Sequence, residues 1–326
     1  MSLAQLKRRC ETLAATLSTA RETPAPRVSS ALDPRPWVIT GVGASEGPAR
    51  FYAARLAAMG RPARFASMTA VNRGLTRHPD AVLVVFSYAL SPNARWALAE
   101  RPHYAAAVAV TRAPTRVEAD FPRVECVAIE GPDEGELLVR VEAPALMTLW
   151  ALRATLRPDE AAALDALGEV CQRQFERAMA HFAALPPGAL DQLALVTDRC
   201  PESLFSLRWK WLESVATLDP PVWDLLSVAH GPLQAMTDTS WRILAMLEAG
   251  DPLSAALQGC VRAAGARCDV FVSPWRGDAS FFVYDAVMNA AMLTALGHRP
   301  RDLAHWPHQG LDLPLYGLKG APDEEP

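Results

Sequence analysis

Six apolar residues in a row, Ala81-Val82-Leu83-Val84-Val85-Phe86, run into a polar turn, Ser87-Tyr88-Ala89-Leu90-Ser91-Pro92, and then into the helical pattern of residues 93–100. A segment of strand length that is apolar on both faces must be covered on both sides. That is the signature of a parallel sheet layered between helices. The same unit recurs along the chain. Residues 37–40 read as an apolar strand, 41–45 as a tight turn, and 48–59 as a helix closed by Gly60. Further strands are expected at 64–67, 105–111 and 124–129. Residues 143–156 and 159–185 read as helices punctuated by Pro158, the second closed by Pro186-Pro187-Gly188. The pattern then restarts. It gives a strand at 193–197, a helix at 202–215, an apolar stretch at 239–246 that fits strand or helix, a helix at 253–264, a strand at 268–272 and a long helix at 281–296.

This alternation predicts an α/β fold with two domains, each a parallel β-sheet flanked by helices in three αβα layers. The expected divisions are an N-terminal helical segment at 1–30, a first α/β domain at 31–157, a helical connector at 158–188, a second α/β domain at 189–298 and a Pro-, Gly- and His-rich tail at 299–326. The 32 basic and 36 acidic residues leave a formal charge of -4, which argues against a general nucleic-acid footprint. Cysteines at 10, 126, 171, 200, 260 and 268 show no Cys-x-x-Cys spacing, so buried free thiols are expected rather than a zinc or redox centre. His298, His305 and His308 with Asp302 and Asp312 match no recognised metal spacing, and no metal is expected. No stretch approaches the roughly 20 apolar residues of a membrane span, and no signal peptide is visible. The expectation is a cytoplasmic protein without membrane or nucleic-acid partners.

The first strand leads into Gly41-Val42-Gly43-Ala44-Ser45. Glycines permit the turn, and the Ser45 hydroxyl adds a donor to the backbone N–H groups of the helix start, which attract anions. A dinucleotide-binding loop needs Gly-x-Gly-x-x-Gly; here Gly47 falls one residue late, and residues 64–67 offer no acidic partner for a ribose. No nucleotide or other cofactor is expected. The alternatives left are a phosphate-type site and a tight turn without a ligand.

Together these features resemble the sugar isomerase (SIS) domain family, with two copies in one chain. The arrangement is similar to the isomerase half of glucosamine-6-phosphate synthase and to related sugar-phosphate deaminases and deglycases, over about residues 37–319. Gly41-Val42-Gly43-Ala44-Ser45 stands where the family has Gly-x-Gly-Thr-Ser. Ser87 keeps the first residue of the family's phosphate-wrapping Ser-x-Ser-Gly-x-Thr, whereas Ala89, Leu90 and Pro92 replace its second Ser, Gly and Thr. The resemblance makes Gly43, Ser45, Ser87, Tyr88, Ser91 and Asn93 the substrate-binding candidates. Lys210-Trp211-Leu212-Glu213 matches the family's catalytic helix, with Ser206 where another Glu is usual. His230-Gly231-Pro232 matches its His-Gly-Pro, and the segment from Asp312 to Lys319 resembles its C-terminal motif, with Leu315 in place of an Arg. Residues 131–141 carry Asp133, Glu134 and Glu136 where the family has Ser-Thr-Lys, poor company for a phosphate if they point inward.

The resemblance implies roles. Glu213 would move a proton between sugar C1 and C2, since partial burial suits a carboxylate to that work. His230 would open the sugar ring, in many relatives from a neighbouring subunit, and Lys319 would form an imine with an open-chain carbonyl. Lys210 joins this catalytic set. The plainer readings stay open: an exposed helix carboxylate, a loop histidine and a surface lysine. The expected function is aldose–ketose isomerisation or deamination of a sugar or amino-sugar, phosphorylated or not, in a homodimer with a shared active site. The alternatives are a non-catalytic sugar-derivative sensor and an enzyme for another non-phosphorylated carbonyl or amide compound. The altered loop at 89–92 motivates both. Trp209 and Trp211 cannot face the same side of one helix, so one of them is expected to point toward a dimer partner.

Overall fold

The computed structural model describes residues 2–29, 34–135, 138–198, 202–215, 220–237, 240–308 and 310–311. Of these, residues within Ala20–Glu134 and Glu142–Leu156 and from His305 onward form one compact unit. Those within Met1–Thr19, Gly135–Val141 and Arg157–Ala304 form the other. The chain opens with helix α1 (Leu3–Glu22), whose buried stripe is Leu6, Cys10, Leu13 and Leu17.

The first unit is built on a five-stranded parallel sheet. In chain order it contains β1 (Trp37–Gly41), α2 (Glu46–Ala58), β2 (Ala63–Phe65), α3 (Met68–Asn72), β3 (His78–Phe86), α4 (Pro92–Ala99), β4 (Tyr104–Thr111), α5 (Pro114–Asp120), β5 (Glu125–Ala128) and α6 (Glu142–Ala154). The strand order is β2-β1-β3-β4-β5. Side chains alternate across the sheet. Val38, Leu83, Val85, Ala107 and Ala109 pack with Met68, Val71, Leu98 and Val117 of α3 to α5. On the opposite face, Trp37 and Phe86 meet Tyr52 of α2, which lies 5.0 Å, centroid to centroid, from Trp150 of α6. Coverage on both faces is why the strands are continuously apolar.

The second unit is built on a four-stranded parallel sheet of order β7-β6-β8-β9. It contains α7 (Ala161–Asp165), α8 (Leu167–Ala183), β6 (Leu193–Thr197), α9 (Phe205–Val215), β7 (Val222–Asp224), α10 (Leu225–Val228), α11 (Pro232–Thr237), β8 (Arg242–Glu248), α12 (Pro252–Ala264), β9 (Cys268–Ser273) and α13 (Ser280–His298). Ala194, Val196, Ile243, Ala245 and Leu247 pack against Leu225, Val228, Met236, Leu257 and Val261 on one face. Helix α13 packs on α8 and α9 and against β9. Its residues from Ser280 to Leu296 are all buried, as expected of a helix whose apolar residues lie on every side.

Two expectations are corrected and one open alternative is resolved. Residues 277–298 are long and apolar enough to cross a membrane by composition, although no such stretch was expected; 94% of the apolar window is buried within the protein, as befits a core helix. The ambiguous stretch at 239–246 resolves as β8, paired in parallel with both β6 and β9. The thiols are not uniformly buried: Cys10 and Cys171 are, but Cys126 and Cys268 are half-buried and Cys260 is exposed, since it lies on the solvent face of α12. Cys200 lies outside the described residues.

Candidate functional site

In open α/β sheets ligands gather at the carboxyl ends of the strands, where the strand order reverses. In the five-stranded sheet that point lies between β1 and β3, which pair with Gly41 opposite Phe86. The two loops that follow these strands carry five of the substrate-binding candidates, and the sixth, Asn93, lies on the helix that the second loop enters.

The loop after β1 is tight because the backbone returns on itself. A Cβ on Gly41 would lie 2.5 Å from the Ser45 carbonyl oxygen, and Gly43 takes φ +61°. Both positions need glycine for a stated reason, close approach in one case and a left-handed backbone in the other. Ser45 is buried and stands at the N-cap of α2, yet its hydroxyl makes no capping bond. An N-cap serine ordinarily accepts a bond from the N2 or N3 amide. Here the hydroxyl stays uncommitted to the helix it precedes.

The loop after β3 uses its hydroxyls internally. The buried Ser87 Oγ accepts the Ser91 N–H at 2.9 Å, and Ser91 Oγ accepts the Ala94 N–H at 3.4 Å, capping α4. The two hydroxyl oxygens lie 3.5 Å apart. Leu90 bends the loop with φ +53°, a left-handed conformation that favours glycine, while its side chain is buried in the sheet's core. The glycine that the resemblance places there is therefore replaced by a leucine that keeps the turn at a strain of about 1–3 kcal/mol. Asn93 is half-buried on the first turn of α4.

Tyr88 ties this loop to the next strand. Its carbonyl oxygen accepts the Arg112 N–H at 2.9 Å and the Thr111 hydroxyl at 3.0 Å. Its own hydroxyl donates to the Pro132 carbonyl at 3.0 Å. Burial, and then the charge of Glu134, push the phenol well above its ordinary range, so it is a neutral donor at physiological pH. The acidic stretch does not turn its charges freely into the crevice. Glu134 is buried and accepts the Glu142 and Ala143 N–H groups at 2.9 and 3.2 Å, holding the start of α6. Asp133 pairs with Arg112 at 2.9 Å. Glu136 lies outside the described residues.

The catalytic candidates fall in the other unit. Lys210 is fully buried; its amine donates to Asp285 Oδ1 at 2.5 Å and Asn289 Oδ1 at 3.1 Å on α13. Its amine thus faces the core of its own unit, and Trp211 beside it is buried. Glu213 lies three residues on and is half-buried, and Ser206, one turn before Lys210, is fully buried with no hydrogen-bond partner for its hydroxyl among the described residues. His230 is exposed, in the turn between α10 and α11. Asp224 caps the opposite, N-terminal end of α10 through the Leu226 and Ser227 N–H groups at 2.9 and 2.8 Å. Lys319 lies outside the described residues.

A cluster without any motif sits at the corresponding strand ends of this second sheet. Asp198, after β6, accepts bonds from the Glu248 N–H and, at 3.3 Å, from the Ser254 hydroxyl. Glu248, the last residue of β8, accepts the Gly277 N–H at 2.6 Å. The Tyr284 hydroxyl approaches Asp198 at 3.5 Å. The only sequence signal was a carboxylate ending each apolar strand. Glycine and hydroxyl groups line the first crevice; carboxylates close the second and oppose an anion there.

A shallow cavity in the first unit, lined by Pro24, Ile129, Trp150 and Arg153, holds none of the candidates. Its polar groups are committed to the entering chain: Arg153 donates to the Ala20 and Thr23 carbonyls at 2.7 Å, and the Trp150 indole donates to Pro26.

No family model matches the chain, and no curated protein matches it in sequence. Solved structures do. The C-terminal domain of glucosamine-fructose-6-phosphate aminotransferase from Francisella tularensis is 11% identical, with a TM-score of 0.70 over 91% of this chain and 97% of that one. Glucosamine-6-phosphate deaminase from Thermotoga maritima is 11% identical, with a TM-score of 0.69 over 93% and 97%. Tagatose-6-phosphate ketose/aldose isomerase from Escherichia coli is 13% identical, with a TM-score of 0.66 over 94% and 92%. The likeness spans nearly the whole of each chain and establishes a double SIS-type fold.

Proposed function

We propose that this chain, which has the double SIS-type fold, is an isomerase or deaminase of a sugar or amino-sugar phosphate. The observation that carries the proposal is the crevice between β1 and β3. There, the uncommitted Ser45 hydroxyl and the Ser87–Ser91 loop stand at the starts of α2 and α4. Helix starts and hydroxyls together suit a phosphate group. The solved structures of similar fold include an aminotransferase, a deaminase and a ketose/aldose isomerase of sugar phosphates.

In the proposed reaction, Glu213 removes a proton from the carbon next to the open-chain carbonyl. The electron pair moves onto the carbonyl oxygen to form an enediolate, or onto the nitrogen to form an enamine where an imine has replaced the carbonyl. The same carboxyl returns the proton to the neighbouring carbon as the hydroxyl proton passes to the former carbonyl oxygen. His230, with its imidazole in solvent, carries the proton that opens the ring. Lys319 serves as the amine that meets the open carbonyl. Lys210, enclosed with Asp285, supports α9 rather than touching substrate. A homodimer in which His230 completes the neighbour's site belongs to the same proposal.

A second reading, a non-catalytic binding protein for a sugar derivative, is favoured by the commitment of Ser87 and Ser91 to their own loop. A thermal-shift screen of sugar 6-phosphates, amino-sugar 6-phosphates and their unphosphorylated counterparts tests the phosphate crevice. Stabilisation confined to the phosphorylated members supports it. Stabilisation by neutral sugars alone rejects it.

A further inference from the structure

We propose that Arg112 is the residue that selects an oxyanion on the substrate, with Asp133 as a displaceable stand-in. The inference rests on the reading of the β1–β3 crevice as the substrate site and goes beyond it by naming a residue outside both of its loops.

Arg112 is the first residue after β4, the strand paired with β3 on its other side, in the register Phe86 opposite Val110. Its N–H bond to the Tyr88 carbonyl and the Thr111 hydroxyl bond to the same oxygen clamp its backbone to the Ser87–Ser91 loop. The backbone position of Arg112 is therefore as fixed as the loop itself. Its guanidinium lies 6.0 Å from the centre of the Tyr88 ring, a distance at which the aromatic face still attracts a cation.

The loop needs such a cation. Ala89, Leu90 and Pro92 bring no hydroxyl, and the oxygens of Ser87 and Ser91 already accept bonds inside the loop. An anion at the start of α4 is left with few strong donors from β3. A guanidinium supplies a planar fork of N–H groups matched to phosphate or carboxylate oxygens. Its ionic partner, Asp133, stands largely in solvent. The Asp133 side chain is 74% exposed against 35% for Arg112, so the pair contributes little to stability. A pair so screened by solvent can give way to a substrate oxyanion that brings more contacts. Glu134 does not compete in the same way, because both of its oxygens accept amides at the start of α6.

The experiment is calorimetric titration of the full chain with glucosamine 6-phosphate, glucosamine, gluconate and inorganic phosphate. The parent is compared with Arg112→Ala, Arg112→Lys and Asp133→Asn. The expected result is a Kd for the anionic probes raised about tenfold to a hundredfold in Arg112→Ala. Arg112→Lys should recover only part of the loss, because an ammonium lacks the fork. Asp133→Asn should tighten the anionic probes about two- to fivefold by removing the competitor. Undiminished binding of glucosamine 6-phosphate to Arg112→Ala overturns the inference and leaves the proposed function standing. Arg112-dependent binding of gluconate without any binding of glucosamine 6-phosphate does the reverse. Failure of every anionic probe to bind the parent overturns both.

Discussion

Lys210 Nζ lies 2.5 Å from Asp285 Oδ1, and neither side chain reaches solvent. A charge buried in a mostly apolar core helix needs a partner of opposite sign, and here it comes from α9. Removing one member strands the other. Lys210→Met should therefore destabilise the protein by about 3–5 kcal/mol in urea unfolding, whereas Lys210→Met with Asp285→Leu should recover most of that loss. If the single variant costs less than about 1 kcal/mol, the pair does not hold α9 to α13.

Leu90 sets two effects against each other. Leu90→Gly relieves a left-handed backbone, a gain of about 1–3 kcal/mol. It also empties a buried site, a loss of about 2–5 kcal/mol. The lost burial outweighs the relieved strain, so the variant should lose about 1–2 kcal/mol net in chemical denaturation. A stabilised variant would show that strain, not packing, dominates this loop.

Gly41→Ala brings a methyl group against the Ser45 carbonyl, a backbone atom that cannot swing aside. The turn must open. Thermal unfolding should move several degrees lower, and the stabilisation by sugar phosphates should fall with it. An unchanged unfolding temperature would contradict the close approach.

Asp198 titrates against stability. Burial, the largest influence, raises its carboxyl above the ordinary value of 3.8, although the Glu248 amide and Ser254 hydroxyl bonds oppose this. The folded state then holds a proton more tightly than the unfolded chain. Stability contributed through Asp198 falls as pH rises from about the unfolded value through the folded one. Asp198→Asn keeps an acceptor oxygen for the Glu248 amide and removes the titration. Urea midpoints of parent and variant should diverge in the variant's favour as pH rises from about 4 toward 7. A difference that does not vary with pH would remove Asp198 from the pH response.

The sheets were legible because parallel strands buried on both faces must be continuously apolar, and 81–86 and 193–197 announce themselves. Short elements such as α3, α5 and β7 were not, since pieces of three to seven residues are held by their neighbours rather than by their own pattern. The binding loops were legible as polar turns after such strands. What those turns do with their hydroxyls was not, because the Ser87–Ser91 bond depends on the path of the backbone. The burial of Lys210 was hidden for a different reason: its partner is 75 residues away. The Asp198 and Glu248 cluster has no motif, only two carboxylates that become neighbours when β6 pairs with β8.

The most direct measurement is deuterium exchange from solvent into the C1 and C2 positions of aldose, ketose and 2-amino-sugar 6-phosphates, followed by proton NMR. It reads the proposed proton transfer even where net conversion is small. The parent protein should exchange a single C1 or C2 hydrogen of at least one of these sugars. Glu213→Gln should still bind that sugar and leave its hydrogens unexchanged. Exchange that proceeds equally in Glu213→Gln, or a bound sugar phosphate that never exchanges in the parent, would contradict the account.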